Sequence, residues 1–299
     1  MRVLALGSGR PGTGKSFLAA NLGTALARRG VRVCLVDLDL AASDLHLLLG
    51  LFRPPHGLLD LLRGGARSLE EIMHPVGDTG RLFLVPGAGE TVRGLQAEEV
   101  EGLAEDIAAL PVDIAIVDLA AGTSQAMLDL FCAGDEGWVV AAEDAGPIDD
   151  VVRYLRLSRL RRVARRPAAA APRRPRVYTS LDDLVRDMSA LRSAEERGGG
   201  PFRQGVLLNR CGPNSERFAE ELAERIESEL PGGCHLPLIA KIPEDPAAAE
   251  AFAALTPLLA HAPHSPAARV IDDLAAQIAG SAASEPAGET ASGRLEPVP

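Results

Sequence analysis

Eight consecutive residues near the start of the chain, Gly9-Arg10-Pro11-Gly12-Thr13-Gly14-Lys15-Ser16, fit the spacing G-x-x-x-x-G-K-[ST]. Glycines in such a run let backbone N–H groups face an anion. The lysine ammonium then reaches β- and γ-phosphate oxygens, and the serine hydroxyl ligates Mg²⁺. Gly9, Gly12, Thr13, Gly14, Lys15, Ser16 and Phe17 are thus the candidate phosphate-side residues, with Ser16 also on the metal. The choice of lysine is itself informative: the chain has 29 arginines but only two lysines, Lys15 and Lys241. A compact ammonium stands where a phosphate loop needs a point charge. Three carboxylates follow at the ends of apolar runs, Asp37 and Asp39 after "VRVCLV" and Asp118 after "DIAIV". Asp118, after its apolar run, is a candidate partner of the same metal through water. Each aspartate taken singly is equally a strand-end or helix-capping carboxylate.

The elements around these residues must bring them together. "RVLAL" (2–6) reads as a buried strand, and Leu18, Leu22 and Leu26 recur every four residues before Gly30, so the loop joins a strand to an amphipathic helix. Further strand-like runs are "VRVCLVD" (31–37), "LFLV" (82–85), "DIAIVD" (113–118), "GWVVAA" (137–142), "GVLLN" (205–209) and "PLIAKI" (237–242). Helical patterns separate them, which predicts an α/β fold: a doubly wound, mostly parallel sheet of about seven strands covered by helices on both faces, in three layers. Ligands of such sheets bind beyond the C-terminal strand ends, where Asp37, Asp39 and Asp118 converge on the loop.

Of the 299 residues, 46% are hydrophobic, as in an ordinary globular domain. Cys34, Cys132, Cys211 and Cys234 are widely spaced, which excludes a paired-cysteine zinc or iron–sulfur site and a disulfide framework. The first apolar run is too short for a signal peptide, and no eighteen-residue apolar stretch exists, so the expected setting is the cytoplasm.

Four blocks carry a family resemblance: the glycine loop; "VDLDLAASDLHLLLG" (36–50); "GLLDLLRGGARSLEEIMHP" (57–75) with "LFLVPGAG" (82–89); and "DIAIVDLAAGTSQAMLDLF" (113–131). Together they resemble the MinD/ParA family of deviant phosphate-loop ATPases, and within it the branch of the flagellar-number regulator FlhG. The resemblance implies ATP and Mg²⁺ as ligands. It implies a homodimer with ATP held between subunits, slow hydrolysis, and a regulatory or cargo protein bound near the switch segments. It further implies that Asp39 positions the attacking water, that Asp37 lies beside the Mg²⁺ site, that Asp118 with Gly122 forms the γ-phosphate-sensing switch, and that Asn209 hydrogen-bonds adenine. Pro243 and Glu244, in "IPEDPA" (242–247), flank the base.

The family writes its loop K-G-G-x-G-K-[ST], and its first lysine crosses the dimer to the partner's phosphates. Here Arg10 stands at that lysine and Pro11 at a glycine. Arginine keeps the charge and offers a planar fork to phosphate oxygens, whereas proline fixes φ and removes one N–H. Two other readings therefore stand beside the switch: a nucleotide-binding scaffold with weak or lost hydrolysis, and a carboxylate ligase of the dethiobiotin or cobyrinate type on the same fold.

Domain organisation reads as one ATPase domain over 1–279, with a basic insertion over about 163–203 and a disordered tail at 280–299. Ile148, Val151, Val152 and Leu155 share one helix face. From Arg153 to Arg176 there are ten arginines and no acid, in a chain of formal charge −10. This stretch is open to three readings: a solvated helix face running into a loop, a contact with anionic lipid headgroups, or a contact with DNA at the nucleoid. Ser180 and Asp183 open a capping-box-like helix, "LDDLVRDMSALRS". The helix expected over 269–280 has an acidic polar face, unlike a membrane-inserting C-terminal helix.

Overall fold

A computed structural model describes residues 1–40, 42–87, 95–143, 148–164, 202–230 and 236–284. Eight strands form one sheet: β1 (Arg2–Gly7), β2 (Val33–Leu38), β3 (His74–Val76), β4 (Leu82–Val85), β5 (Ile114–Leu119), β6 (Glu136–Ala142), β7 (Arg203–Cys211) and β8 (Leu238–Pro243), in the order β3-β4-β2-β5-β1-β6-β7-β8. Seven of them run parallel, as the sequence predicts. The eighth, β3, pairs antiparallel with β4 at the sheet edge. Its three residues include Pro75, which only an edge position tolerates and which hides the strand from a pattern reading.

The helices are α1 (Lys15–Arg28), α2 (Leu45–Leu48), α3 (Leu58–Leu62), α4 (Ala97–Ala108), α5 (Gln125–Ala133), α6 (Ile148–Ala164), α7 (Ser215–Glu229), α8 (Pro246–Ala253), α9 (Leu258–His261) and α10 (Pro266–Ser284). Side chains alternate across each strand, so Val3 and Ala5 enter one apolar layer and Leu4 and Leu6 the other. The first layer is closed by α4 to α7, through Leu103, Phe131, Leu155 and Leu222 among others. The second is closed by α1 and α8 to α10, through Leu18, Leu22, Leu26 and Leu274, all fully buried. Ile148, Val151, Val152 and Leu155 are buried on one face of α6, as their spacing requires.

The expected C-terminal helix starts earlier and continues through Ser284, into the stretch read as tail. The capping-box helix after Ser180, the arginines at 165–176 and residues 285–299 lie outside the described residues. Among the described residues, no helix is long and apolar enough to cross a membrane.

Candidate nucleotide site

The loop between β1 and α1 takes the shape its glycines permit. Gly12 and Gly14 have φ of +80° and +90°, in the left-handed region that side chains avoid. At Gly9 the constraint is close approach, since a Cβ there would lie 2.7 Å from the Asp150 carbonyl oxygen. Gly14 is the N-cap of α1 and no side chain caps it, so the first-turn N–H groups of the helix are left for an anion. Phe17, named with the phosphate-side residues, packs its ring against the α1 side of the core. What it can offer an anion is backbone.

Lys15 is buried, and its Nζ donates to Ser8 Oγ at 2.9 Å. Ser8 Oγ in turn donates to the Arg10 carbonyl at 2.6 Å. Burial lowers the Lys15 pKa, while the charges of Asp118 and Asp39 work to raise it. Sequence reasoning missed Ser8, because a serine one residue ahead of the glycine run carries no signal of its own.

Strand register brings two of the carboxylates together. β5 lies between β1 and β2, with Asp118 paired to Leu6 on one side and to Asp37 on the other. Asp37 and Asp118 are both almost fully buried. Burial raises the pKa of each, and for Asp37 the neighbouring Asp118 raises it further. Ser16 and Lys15 work in the other direction on Asp118. Ser43 Oγ donates to Asp37 Oδ2 at 2.6 Å, a partner the sequence did not reveal. Gly87 sits against this pair, where a Cβ would lie 2.6 Å from Ser43 Oγ. Asp37 also accepts the Asp39 N–H at 3.0 Å, and half-buried Asp39 accepts the Ala42 N–H at 3.0 Å. Across the site, Gly122 in the segment after β5 has φ +103° and donates its N–H to the Ser8 carbonyl at 2.9 Å.

Two candidate residues have partners that their types did not suggest. The Arg10 side chain, half exposed, pairs with Asp150 near the start of α6, and the same carboxylate takes Arg153. Asn209 is buried at the end of β7 and donates Nδ2 to the Thr13 carbonyl at 2.9 Å. Pro243 is in register with Cys211, and exposed Glu244 donates its N–H to the Cys211 carbonyl at 3.1 Å, so both lie at the same sheet end as Asn209.

A nucleotide with Mg²⁺ suits these residues. Neither buried oxygen of Asp118 has a well-aligned hydrogen-bond partner, and Thr13 Oγ1 is likewise buried without one. Native proteins seldom leave such atoms unsatisfied. Among the described residues no cluster of three or more His, Cys, Asp or Glu could hold a metal by itself. That fits Mg²⁺, which binds through one or two carboxylates together with waters and phosphate oxygens.

The described arginines of α6 are largely engaged within the chain. Arg161 makes a two-pronged contact with Asp129 at 2.8 and 2.7 Å, Arg159 donates to Gln204 at 2.9 Å, and Arg162 stacks over Phe202 at 4.8 Å.

The chain is 29% identical over 280 residues to an ATP-binding protein of Methanocaldococcus jannaschii, covering 93% of this chain and 88% of that one. It is 29% identical over 161 residues to the antiactivator FleN of Pseudomonas aeruginosa, a match over 52% of this chain and little more than half, 56%, of FleN. Among solved structures, a MinC:MinD cell division protein complex of Aquifex aeolicus superposes with a TM-score of 0.64 over 97% of this chain and 99% of that one, at 22% identity, a likeness of fold. The description "CobQ/CobB/MinD/ParA nucleotide binding domain" matches residues 4–258, which take in the glycine loop, the three aspartates and Asn209, and the chain belongs to that family.

Proposed function

We propose that this chain is an ATP-dependent dimerising switch that hydrolyses ATP slowly and regulates the placement or number of a cellular structure through a partner bound near its switch segments. The observation that carries the reading is the convergence of Lys15, Asp37, Asp39 and Asp118 at the ends of β1, β2 and β5, with the Gly122 N–H bonded to the loop at Ser8. In this reading Gly9, Gly12, Thr13, Gly14, Lys15 and Ser16 hold the phosphates, and Asn209, Pro243 and Glu244 flank the base. Ser16, Asp37 and Asp118 would hold Mg²⁺, which would supply neutralisation of phosphate charge there. Asp39 orients the attacking water, Lys15 stabilises charge on the transferring phosphoryl group, and Arg10 reaches the partner's phosphates. The likeness to FleN and to MinD supports control of a flagellum or a division site as the cellular role. The single continuous sheet formed by strands from Arg2 to Pro243 supports reading residues 1–279 as one ATPase domain. Contact of the basic stretch with lipid or DNA, and peripheral attachment through it, rests chiefly on the arginines at 165–176, because Arg153, Arg159, Arg161 and Arg162 of α6 have partners within the chain.

A second reading is favoured by one observation. Arg10 is paired with Asp150 in the same chain, which suits a nucleotide-binding scaffold whose arginine never crosses to a partner. Sedimentation with ADP, with ATP, and with ATP after Asp39→Ala, while phosphate release is followed, separates the two. The switch requires an ATP-dependent dimer that wild type slowly dissolves and Asp39→Ala traps. A protein that binds ATP yet stays monomeric without turnover is the scaffold.

A further inference from the structure

The resemblance gives Asn209 to the base, yet its observed partner is the phosphate loop. Nδ2 donates to the Thr13 carbonyl at 2.9 Å, across 196 residues of chain. The peptide joining Thr13 to Gly14 is planar and trans, so its C=O and N–H point in opposite directions. A carbonyl held by Asn209 therefore turns the Gly14 N–H away from that amide. Two further features fix this arrangement. Gly14 has φ +90°, and a Cβ on it would collide with the Asn209 amide, so the loop backbone and the amide are fitted to each other. Directly after Asn209, Arg210 adopts φ +52°, and the β7–β8 register is irregular between Leu208 and Cys211. A non-glycine residue in that region is strained, and such strain persists where surrounding structure demands it. Here it lies beside the residue that reaches the loop.

We propose that Asn209 is a positioning residue for the phosphate loop, aiming the Gly14 N–H at the phosphates of any nucleotide the site accepts, whatever its base. The inference rests on the nucleotide site described above and adds to it a coupling between the base side and the phosphate side.

The test compares ADP with inosine diphosphate, which carries an oxygen where adenine has its amino group, by calorimetry with Mg²⁺ on wild type and Asn209→Ala. Loss of one buried hydrogen bond should weaken both ligands by a similar factor, about three- to tenfold. The same bond is present without nucleotide, so the urea midpoint of the variant should fall modestly, and binding is measured well below its unfolding transition; a variant that loses stability but keeps wild-type affinity for both diphosphates shows a merely structural role and overturns the proposal. Asn209→Ser, whose shorter hydroxyl does not span to Thr13, should reproduce the loss and serves if the alanine variant folds poorly. A variant that loses affinity for ADP but keeps it for inosine diphosphate shows that Asn209 acts on the base alone and overturns the proposal. If wild type binds neither diphosphate, the nucleotide site itself is wrong and the proposal falls with it.

Discussion

Replacing Asp118 with asparagine should make the metal-free protein more stable while removing its response to Mg²⁺ and ATP. Burial raises the Asp118 pKa from 3.8 to about 6, so ionising it at neutral pH is uphill in the folded chain. A shift of roughly two units corresponds to about 3 kcal/mol of destabilisation once the group is charged. The sign follows from linkage: the folded state holds the Asp118 proton more tightly than the unfolded state, so the contribution of this one group to stability is greatest below about pH 4 and is lost as pH rises through about 6. The asparagine side chain carries no charge and also relieves Asp37, the register partner of Asp118. In urea titrations with EDTA, Asp118→Asn should match wild type near pH 4 and exceed it by about 2–3 kcal/mol above pH 6. With Mg²⁺ and ATP the order should reverse, because ligand stabilises wild type by an amount that grows with the logarithm of its affinity and the variant lacks the carboxylate proposed for the metal. A variant no more stable than wild type at pH 7.5 in EDTA would refute the argument that this carboxylate is held against its own preference for the sake of a cation.

Two more substitutions probe other parts of the frame. Asp245 accepts the Ala247 N–H at the start of α8 and the Ala267 N–H at the start of α10, each at 3.0 Å, so Asp245→Ala should cost about 2–4 kcal/mol in urea unfolding. Burial alone would raise the Asp245 pKa, but hydrogen bonds from Ser265, Ala267 and Ala247 outweigh it and hold it low. The wild-type advantage is therefore present above about pH 4 and shrinks as pH falls through the lower folded value; an advantage that grows in acid contradicts this. Asp150→Asn should release Arg10. The pair is half exposed on the arginine side and worth at most about 1 kcal/mol, and a homodimer releases two of them, so ATP-dependent dimerisation measured by sedimentation should tighten by no more than about thirtyfold. Weaker dimerisation would mean that Asp150 presents the arginine to a partner instead of restraining it.

What the sequence made legible is local. Glycines, lysine and serine at fixed spacing announce a phosphate loop, and apolar runs ending in aspartate place Asp37 and Asp118 at neighbouring strand ends because parallel strands align those ends. What stayed hidden depends on contacts between distant segments. Asn209 meets Thr13 only after β7 is laid beside β6, and Asp150 meets Arg10 only once α6 packs over β1 and the loop. Ser43 reaches Asp37 through the turn that follows β2, where no periodicity marks it. The arginines of α6 read as a free basic surface until Asp129, Gln204 and Phe202 are seen beside them, and those partners come from separate segments.

The same long-range contacts bear on why the loop reads Arg10-Pro11. Pro11 is exposed on the outer turn, while the uncapped helix-start amides follow Gly14, so its missing N–H takes nothing from the inner donors. Arg10 is held at two points, its side chain by Asp150 and its carbonyl by Ser8 Oγ. Ser8 also accepts Lys15 on that oxygen and Gly122 on its own carbonyl. The lysine, the switch glycine and the arginine are thus all tied, without nucleotide, to Ser8 or Asp150. Each tie is a single hydrogen bond or a part-exposed ion pair, worth about 1 kcal/mol net. Phosphate oxygens would give Lys15 and Gly122 stronger, charge-assisted alternatives. A nucleotide bound as proposed would have only these contacts to displace, and in displacing Lys15 and Gly122 it would act on the residue that holds the Arg10 backbone. A mobile charge at the loop tip does not require the flexible Gly-Gly of the family loop if it is released by Ser8 changing partners.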